Sequence, residues 1–417
     1  MLNNSFRQFN LSDFFIEKLN NRKILNPTKI QLEVIPKILS EEDVIAQSKT
    51  GTGKTIAYLI PLLQLIIKNQ TNLLIIAPTN ELSAQIYREL NYYKDGTEIK
   101  AVLLNGGIDF NTQINDLKKG YDILIGVPGR ILKLINHGYL KLNLIKKIVI
   151  DEADFLIDLG FINDLERILS LAKNFNQLMI FSATLSKKTK KILDMIHNQK
   201  YSIRVDAKNK IPENIKNYFI PIIDEEREET LIKLLNSINP FLSIIFVRTK
   251  EESKFIFKKL KELKFLAGCL NGDLSHSVRK RTINDFKGAK IQYLVATDLA
   301  SRGLDIESIT HIINYTLPLN ELDYLHRAGR TGRMNDNGKV YTLCNELDEG
   351  YIKKYSINLD FKLNPVAIKN NDIKPLKNYE GVKPRLNLDD LKKIKSIKKK
   401  KEKFKDGKKK KRSKKRR

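Results

Sequence analysis

Lys54 and Thr55 close a glycine-bearing run, Ser48-Lys49-Thr50-Gly51-Thr52-Gly53-Lys54-Thr55, that can cradle a triphosphate. Glycines let the backbone approach phosphate oxygens, and the amides at the start of a following helix point at them. Lys54 reaches the β and γ oxygens, and the Thr55 hydroxyl can ligate magnesium. Downstream, Asp151-Glu152-Ala153-Asp154 follows the apolar Ile148-Val149-Ile150. Asp151 can hold that magnesium, and Glu152 can orient or deprotonate an attacking water. Near the end lies His326-Arg327-Ala328-Gly329-Arg330-Thr331-Gly332-Arg333. Arg330 and Arg333 are separated by small residues, and their guanidinium groups suit the oxygens of a phosphoryl group in transfer. Each run alone has a blander reading: a chance Gly-Lys-Thr turn, a solvated acidic cap, a surface arginine cluster. Their order and context favour chemistry. No one lobe of ordinary size contains all three, so ATP is expected between two lobes.

The elements that must position these runs alternate short apolar stretches with amphipathic ones. Strands are expected at 44–46, 73–77, 101–104, 123–127, 147–151, 178–182 and 203–205, with helical patterns such as 81–90 and 162–172 between them. The second half repeats the logic, with strands at 243–247, 267–270, 292–296, 311–314 and 340–343 and helices at 251–263 and 278–286. This alternation predicts α/β architecture: two parallel sheets with helices on both faces. The chemical runs fall at the carboxyl ends of predicted strands, where open parallel sheets bind ligands. The polar stretch 206–214, with Pro212, is the expected linker, and the chain divides at 1–208, 209–360 and a tail at 361–417.

Composition narrows the partners. Among 417 residues, 41% are hydrophobic, enough for folded cores. Lys and Arg number 75 against 48 acidic residues, a net charge of +27. Residues 391–417 hold 18 Lys and Arg against 2 acidic residues, so body and tail are both basic and a polyanionic partner is expected. The Lys-rich block self-repels and cannot bury a core, so disorder is expected there. Such a tail binds RNA through phosphate neutralisation without reading bases; a merely solubilising role is the alternative. Cys269 and Cys344 have no metal or disulfide spacing and read as core fillers in a reducing, cytoplasmic setting. No signal peptide and no membrane span is read from the sequence.

Taken together, the runs resemble the DEAD-box family of ATP-dependent RNA helicases over residues 5 to 350. Gly51–Thr55 is similar to motif I, Asp151–Asp154 to motif II, Ser182-Ala183-Thr184 to motif III, Ala296-Thr297-Asp298 through Asp305 to motif V, and His326–Arg333 to motif VI. Asn26-Pro27-Thr28-Lys29-Ile30-Gln31 matches the adenine-reading Q motif, with Phe6 at the upstream aromatic position. The resemblance implies two RecA-like domains. It implies that Phe6, Gln31, Ser48 to Thr55 and Asp305 bind ATP, and that Thr55 and Asp151 hold Mg2+. Lys54, Asp151, Glu152, Arg330 and Arg333 would be catalytic, and Ser182, Thr184 and His326 would couple ATP to RNA. Thr79, Gly107, Gly129, Arg130, Arg248, Thr249 and Thr297 would contact RNA. An amide can pair with both N6 and N7 of adenine, which agrees with the role implied for Gln31.

Four positions depart from the family pattern: Lys23 for glycine, Asn80 for the arginine of Pro-Thr-Arg-Glu-Leu, Val127 for the threonine of Thr-Pro-Gly-Arg, and His276 for the glutamine of Gln-x-x-Arg. The basic tail and the blocks 243–249 and 324–333 resemble bacterial SrmB-type ribosome-assembly helicases. The expectation is a monomer that unwinds short RNA duplexes or remodels RNA–protein complexes, with single-stranded and short duplex RNA, including ribosomal RNA precursors, as partners. Three rivals stand beside it: an ATP-gated RNA clamp that unwinds little, a DNA-directed relative, and an inactive structural protein.

Overall fold

The computed structural model describes residues 5–47, 52–183, 200–204, 210–301, 306, 308–332, 336–377 and 379. The first sheet has seven strands: β1 (Asp43–Gln47), β2 (Asn72–Ile76), β3 (Ala101–Leu104), β4 (Ile123–Gly126), β5 (Ile145–Ile150), β6 (Gln177–Ser182) and β7 (Lys200–Arg204). They lie in the order β3-β4-β2-β5-β6-β1-β7, all pairs parallel. Successive side chains on a strand point to opposite faces. In β2, Leu73 and Ile75 therefore join one apolar layer while Leu74 and Ile76 join the other. Helices cover both faces, which explains why these strands read as unbroken apolar runs.

The second sheet repeats the plan with β8 (Ile215–Pro221), β9 (Ser243–Val247), β10 (Ala267–Leu270), β11 (Tyr293–Thr297), β12 (His311–Asn314), β13 (Gly338–Cys344), β14 (Leu363–Lys369) and β15 (Asp372–Pro375). The order is β10-β11-β9-β12-β13-β8-β14-β15. Ile244 and Phe246 of β9 enter one core, Ile245 and Val247 the other. Cys269 and Cys344 are free, and burial pushes the Cys344 thiol up. Among the described residues no helix is long and apolar enough to cross a membrane.

Two boundaries differ from expectation. The folded body does not stop at residue 360: β14 pairs with β8 in parallel, Pro365 opposite Phe219, and turns into an antiparallel hairpin with β15. Tyr379 then packs edge-on against Phe219 and donates to Glu349 Oε2 at 3.0 Å. Polar residues and Pro365 hide this hairpin in the sequence, yet the margin of a sheet, where only the short β15 lies beyond β14, tolerates both. At the expected linker, residues 205–209 lie outside the described set, but Ile211 is already buried in the second core. Asn214 Nδ2 donates to the carbonyls of Gly332 and Asp336, so the second lobe's packing begins by Ile211. Residues 380–417, the bulk of the expected tail, lie outside the described residues.

Candidate functional site

Lys54 is the first residue of the helix Lys54–Asn69, directly after Gly53, whose φ is +87°. A Cβ on Gly53 would meet Gln31 Nε2 at 2.5 Å, so only glycine fits there. Thr28 caps the helix Lys29–Leu39 in a capping box, and Gln31 Oε1 accepts the Thr28 amide at 2.8 Å. Gln31 Nε2 donates to the Gly53 carbonyl at 3.1 Å, and the Thr28 hydroxyl to the Thr52 carbonyl at 2.8 Å. Gln31 is thus pinned to the phosphate run. It keeps a second N–H and a second lone pair, the two functions an adenine edge needs. Phe6 differs from expectation. It has no exposed surface, its ring lies 6.0 Å from that of Phe9 at 68°, and it belongs to the first core. As it stands it offers no open face to adenine. Ser48, Lys49, Thr50 and Gly51 lie outside the described residues, as do Thr184, Asp305 and Arg333.

β5 delivers Asp151 and Glu152 to the same end of the sheet. Asp151 is buried, its amide bound to the Ile76 carbonyl and its Oδ2 accepting the Tyr58 hydroxyl at 3.0 Å. Burial pushes its carboxyl above the usual range, against the pull of Lys54 and the Tyr58 hydrogen bond. Glu152 sits in the left-handed region, φ +48°, a strained conformation typical of functional positions. Burial also raises the Glu152 carboxyl, while Lys54 and Arg330 pull it down. Arg330 comes from the other lobe and is itself buried, so its charge acts on Glu152 across the cleft. The charges of Lys54, Asp151 and Arg330 therefore all act on Glu152, although they come from three distant runs. Thr55 sits one residue along from Lys54, and its hydroxyl is among the groups that act on the buried Tyr58.

The donor set suits magnesium. Mg2+ is held by one or two carboxylates plus substrate phosphates rather than by an all-protein cage. A buried carboxylate, Asp151, and a half-buried one, Glu152, both with raised affinity for protons, call for a countercharge there.

Of the residues expected to couple ATP to RNA, Ser182 and His326 are described. Ser182 ends β6, is buried, and its Oγ accepts the Asp154 amide at 3.2 Å. His326 lines a cavity between the lobes together with Asp154 and Asp158. Sequence reasoning missed the residue that shapes this edge of the second lobe. Arg327 binds Asp298 with two hydrogen bonds, 2.6 and 2.7 Å, and donates to Asn314 and the Thr316 carbonyl. Its position between His326 and Arg330 was the available signal.

The expected RNA contacts are spread over both lobes. Thr79 and Thr249 each cap a helix, accepting the amides of Leu82 at 3.1 Å and Glu252 at 3.0 Å. Asn80 Oδ1 accepts the Gly106 amide at 2.8 Å, and Asn105 Oδ1 that of Gly107 at 3.0 Å. Gly129 and Arg130 open the helix Pro128–Asn136, whose cap Val127 gives no side-chain hydrogen bond. The Arg130 guanidinium stacks 5.4 Å from the Phe110 ring, and its buried Nη1 has no hydrogen-bond partner. Arg248 donates to the Leu317 carbonyl at 3.2 Å, and Thr297 ends β11. Across the cleft Arg279 pairs with Glu81 and donates to the Ala300 carbonyl at 2.7 Å. The lobes are therefore engaged on both sides of the interface.

Comparison with known proteins places this geometry. Residues 28–192 match the model of the DEAD/DEAH box helicase family, and residues 226–335 that of the helicase conserved C-terminal domain. The DEAD-box ATP-dependent RNA helicase CshA of Bacillus subtilis is 37% identical over 353 residues, 84% of this chain and 71% of that protein. CshB of Staphylococcus aureus is 34% identical over 396 residues, 94% of this chain and 88% of that protein. Among solved structures, Saccharomyces cerevisiae Dbp5 bound to RNA and ADP BeF3 superposes with a TM-score of 0.78 at 27% identity, covering 87% of this chain and 95% of that one.

Proposed function

We propose, from the premise that this chain belongs to the DEAD-box family of ATP-dependent RNA helicases, that ATP hydrolysis between its lobes drives local opening of short RNA duplexes and remodelling of RNA–protein complexes. The observation that carries the reading is that the charges of Arg330, from the other lobe, and of Lys54 and Asp151 all act on Glu152. Gln31 reads adenine, and Lys54 binds the β and γ phosphates. Thr55 and Asp151 would hold Mg2+, which would supply charge neutralisation at the phosphates. Glu152 holds the attacking water by its carboxylate, and Arg330, with Arg333, meets the charge that develops on the γ-phosphoryl group. Ser182, Thr184 and His326 pass lobe closure between this centre and the RNA surface. That surface comprises Thr79, Gly107, Gly129, Arg130, Arg248, Thr249 and Thr297 and grips the sugar-phosphate backbone.

Closure is a population shift: ATP and RNA bind the closed lobes better than the open ones. The basic tail raises the local concentration of RNA. Work on ribosomal RNA precursors, a cytoplasmic setting and a monomeric state complete the reading.

The second reading, an ATP-gated clamp with little strand release, is favoured by Asn80, held by the Gly106 amide, and by Val127, which lacks a hydroxyl. One experiment tests the catalytic assignment. Glu152→Gln is expected to lower RNA-stimulated ATPase by about 10²-fold or more while ATP-dependent RNA binding persists. A wild-type rate would remove Glu152 from the water-positioning role. In the same assay, RNA grip without strand release by the wild-type protein would favour the clamp.

A further inference from the structure

At the end of the first sheet opposite the ATP site, Lys147 of β5 is wholly buried, and its Nζ donates to Glu41 Oε2 at 2.7 Å and to Gln177 Oε1 at 3.0 Å. Glu41 Oε1 accepts from Asn69 Nδ2 at 3.1 Å. Gln177, also wholly buried, donates through Nε2 to the carbonyls of Ile38 at 3.2 Å and Glu42 at 2.9 Å. Each arm of this hub reaches an element that carries a site residue at its other end. Asn69 ends the helix that opens with Lys54, and Ile38 lies in the last turn of the helix that holds Gln31 in its first. β5 leads from Lys147 to Asp151 and Glu152, and β6 runs from Gln177 to Ser182.

Two features of the hub are poor ways to gain stability. A buried ion pair is often matched or bettered by apolar residues of similar volume. Glu41 sits at φ +59°, a left-handed conformation that costs any residue but glycine. Such features persist where the surroundings over-determine them, and they cluster where geometry serves function.

We propose that Glu41, Lys147 and Gln177 are positioning residues for the ATP site. They fix four elements along their axes, so that Gln31, Lys54, Asp151 and Ser182 keep their register. The proposal rests on the ATP-site reading above and extends it to residues remote from any phosphate. Helices and strands are stiff along their axes, so a slip at the hub arrives at the site; the helix Lys54–Asn69 alone spans about 24 Å. At the site end the bond from Gln31 Nε2 to the Gly53 carbonyl joins the same two helices, and a slip between them would open it. Adenine and phosphate contacts would then no longer suit one nucleotide.

The test uses the full chain, with mant-ADP and Mg2+ as the probe, at a temperature where thermal unfolding shows each variant fully folded. Lys147→Met keeps the length of the side chain and leaves no buried charge unpaired. Asn69→Ala cuts one arm at an exposed position. We expect the dissociation constant for mant-ADP to rise about 5-fold in Lys147→Met and about 2-fold in Asn69→Ala. The double variant should lose less than the product of the two, because both act through one hub. Binding of single-stranded RNA without nucleotide should stay at the wild-type level. Wild-type mant-ADP affinity in both single variants, an equal loss of RNA binding, or a double variant that loses the full product would overturn the proposal. A wild type that binds no mant-ADP overturns the ATP-site reading itself, and the proposal with it.

Discussion

The Tyr58 hydroxyl donates to Asp151 Oδ2 at 3.0 Å, with both side chains buried. Helix and strand ends thus share a hydrogen bond beneath the phosphate run, and burial together with Asp151 raises the tyrosine's own pKa. The donor favours the ionised carboxylate that burial opposes.

Tyr58→Phe should therefore cost about 2 kcal/mol at neutral pH, the range for a hydrogen bond to a charged group. Asp151 would rise further from its ordinary value, so the acid limb of the ATPase profile moves to higher pH. Denaturant unfolding gives the sign. Because the folded pKa of Asp151 is raised, burial penalises folding only where Asp151 is ionised, and stability falls as pH climbs through that folded pKa. The cost of losing the donor should shrink below it, where the carboxyl is neutral. A cost independent of pH would mean the hydroxyl serves packing alone.

Glu152 responds to the other lobe. Burial raises its carboxyl first, and the positive charges of Lys54 and Arg330 hold that rise in check. Arg330→Ala should lower RNA-stimulated turnover by about 10³-fold, the scale of a lost arginine finger. It should also shift the acid limb upward, because Glu152 then protonates more readily. Rate against pH for the variant checks both effects, and an unchanged limb would separate Arg330 from Glu152.

Closure should depend on the pair Arg279–Glu81, which joins helices of different lobes. The pair is partly exposed, with side chains 15% and 22% accessible, so about 1 kcal/mol is expected rather than the value of a dry ion pair. Glu81→Arg alone should weaken RNA binding in the presence of an ATP analogue by about 5–10-fold. Combined with Arg279→Glu it should recover most of that loss. Failure of the swap to recover binding would assign the effect to the RNA surface rather than to the bridge.

Lys23 occupies φ +58°, a left-handed conformation that suits glycine. Its amide is held by the Asn20 carbonyl at 2.8 Å, so the turn forms despite the side chain. Lys23→Gly should relieve about 1 kcal/mol of strain, less what glycine's freer unfolded chain returns. A small net stabilisation, near 0.5 kcal/mol, is expected in denaturant unfolding. Destabilisation would show that the lysine makes up for its backbone elsewhere.

How much of this was legible in the sequence depended on periodicity and letters. Strands buried on both faces, such as β2 and β9, announce themselves as apolar runs, and so does β5, after which Asp151 and Glu152 stand where they were expected. β8 was missed because Lys216 and Asn217 break its pattern, although Asn217 is buried and accepts the Tyr324 hydroxyl at 3.0 Å. The β14–β15 hairpin was missed because an edge needs little apolar surface. Phe6 was placed by its position in a motif, which says nothing of what covers a ring. The pairs Tyr58–Asp151 and Arg279–Glu81 depend on distances between helices that no local pattern encodes. The departure at Lys23 was visible, and the structure supplies its meaning as strain.

The most direct measurement is steady-state ATP turnover with no nucleic acid, with single-stranded RNA and with matching DNA, on the full chain and on a truncation after Asp390. The account predicts strong stimulation by RNA alone, retained in the truncation, because the two lobes both build the ATP nest and carry the RNA surface. Turnover indifferent to RNA, or raised equally by DNA, would contradict it.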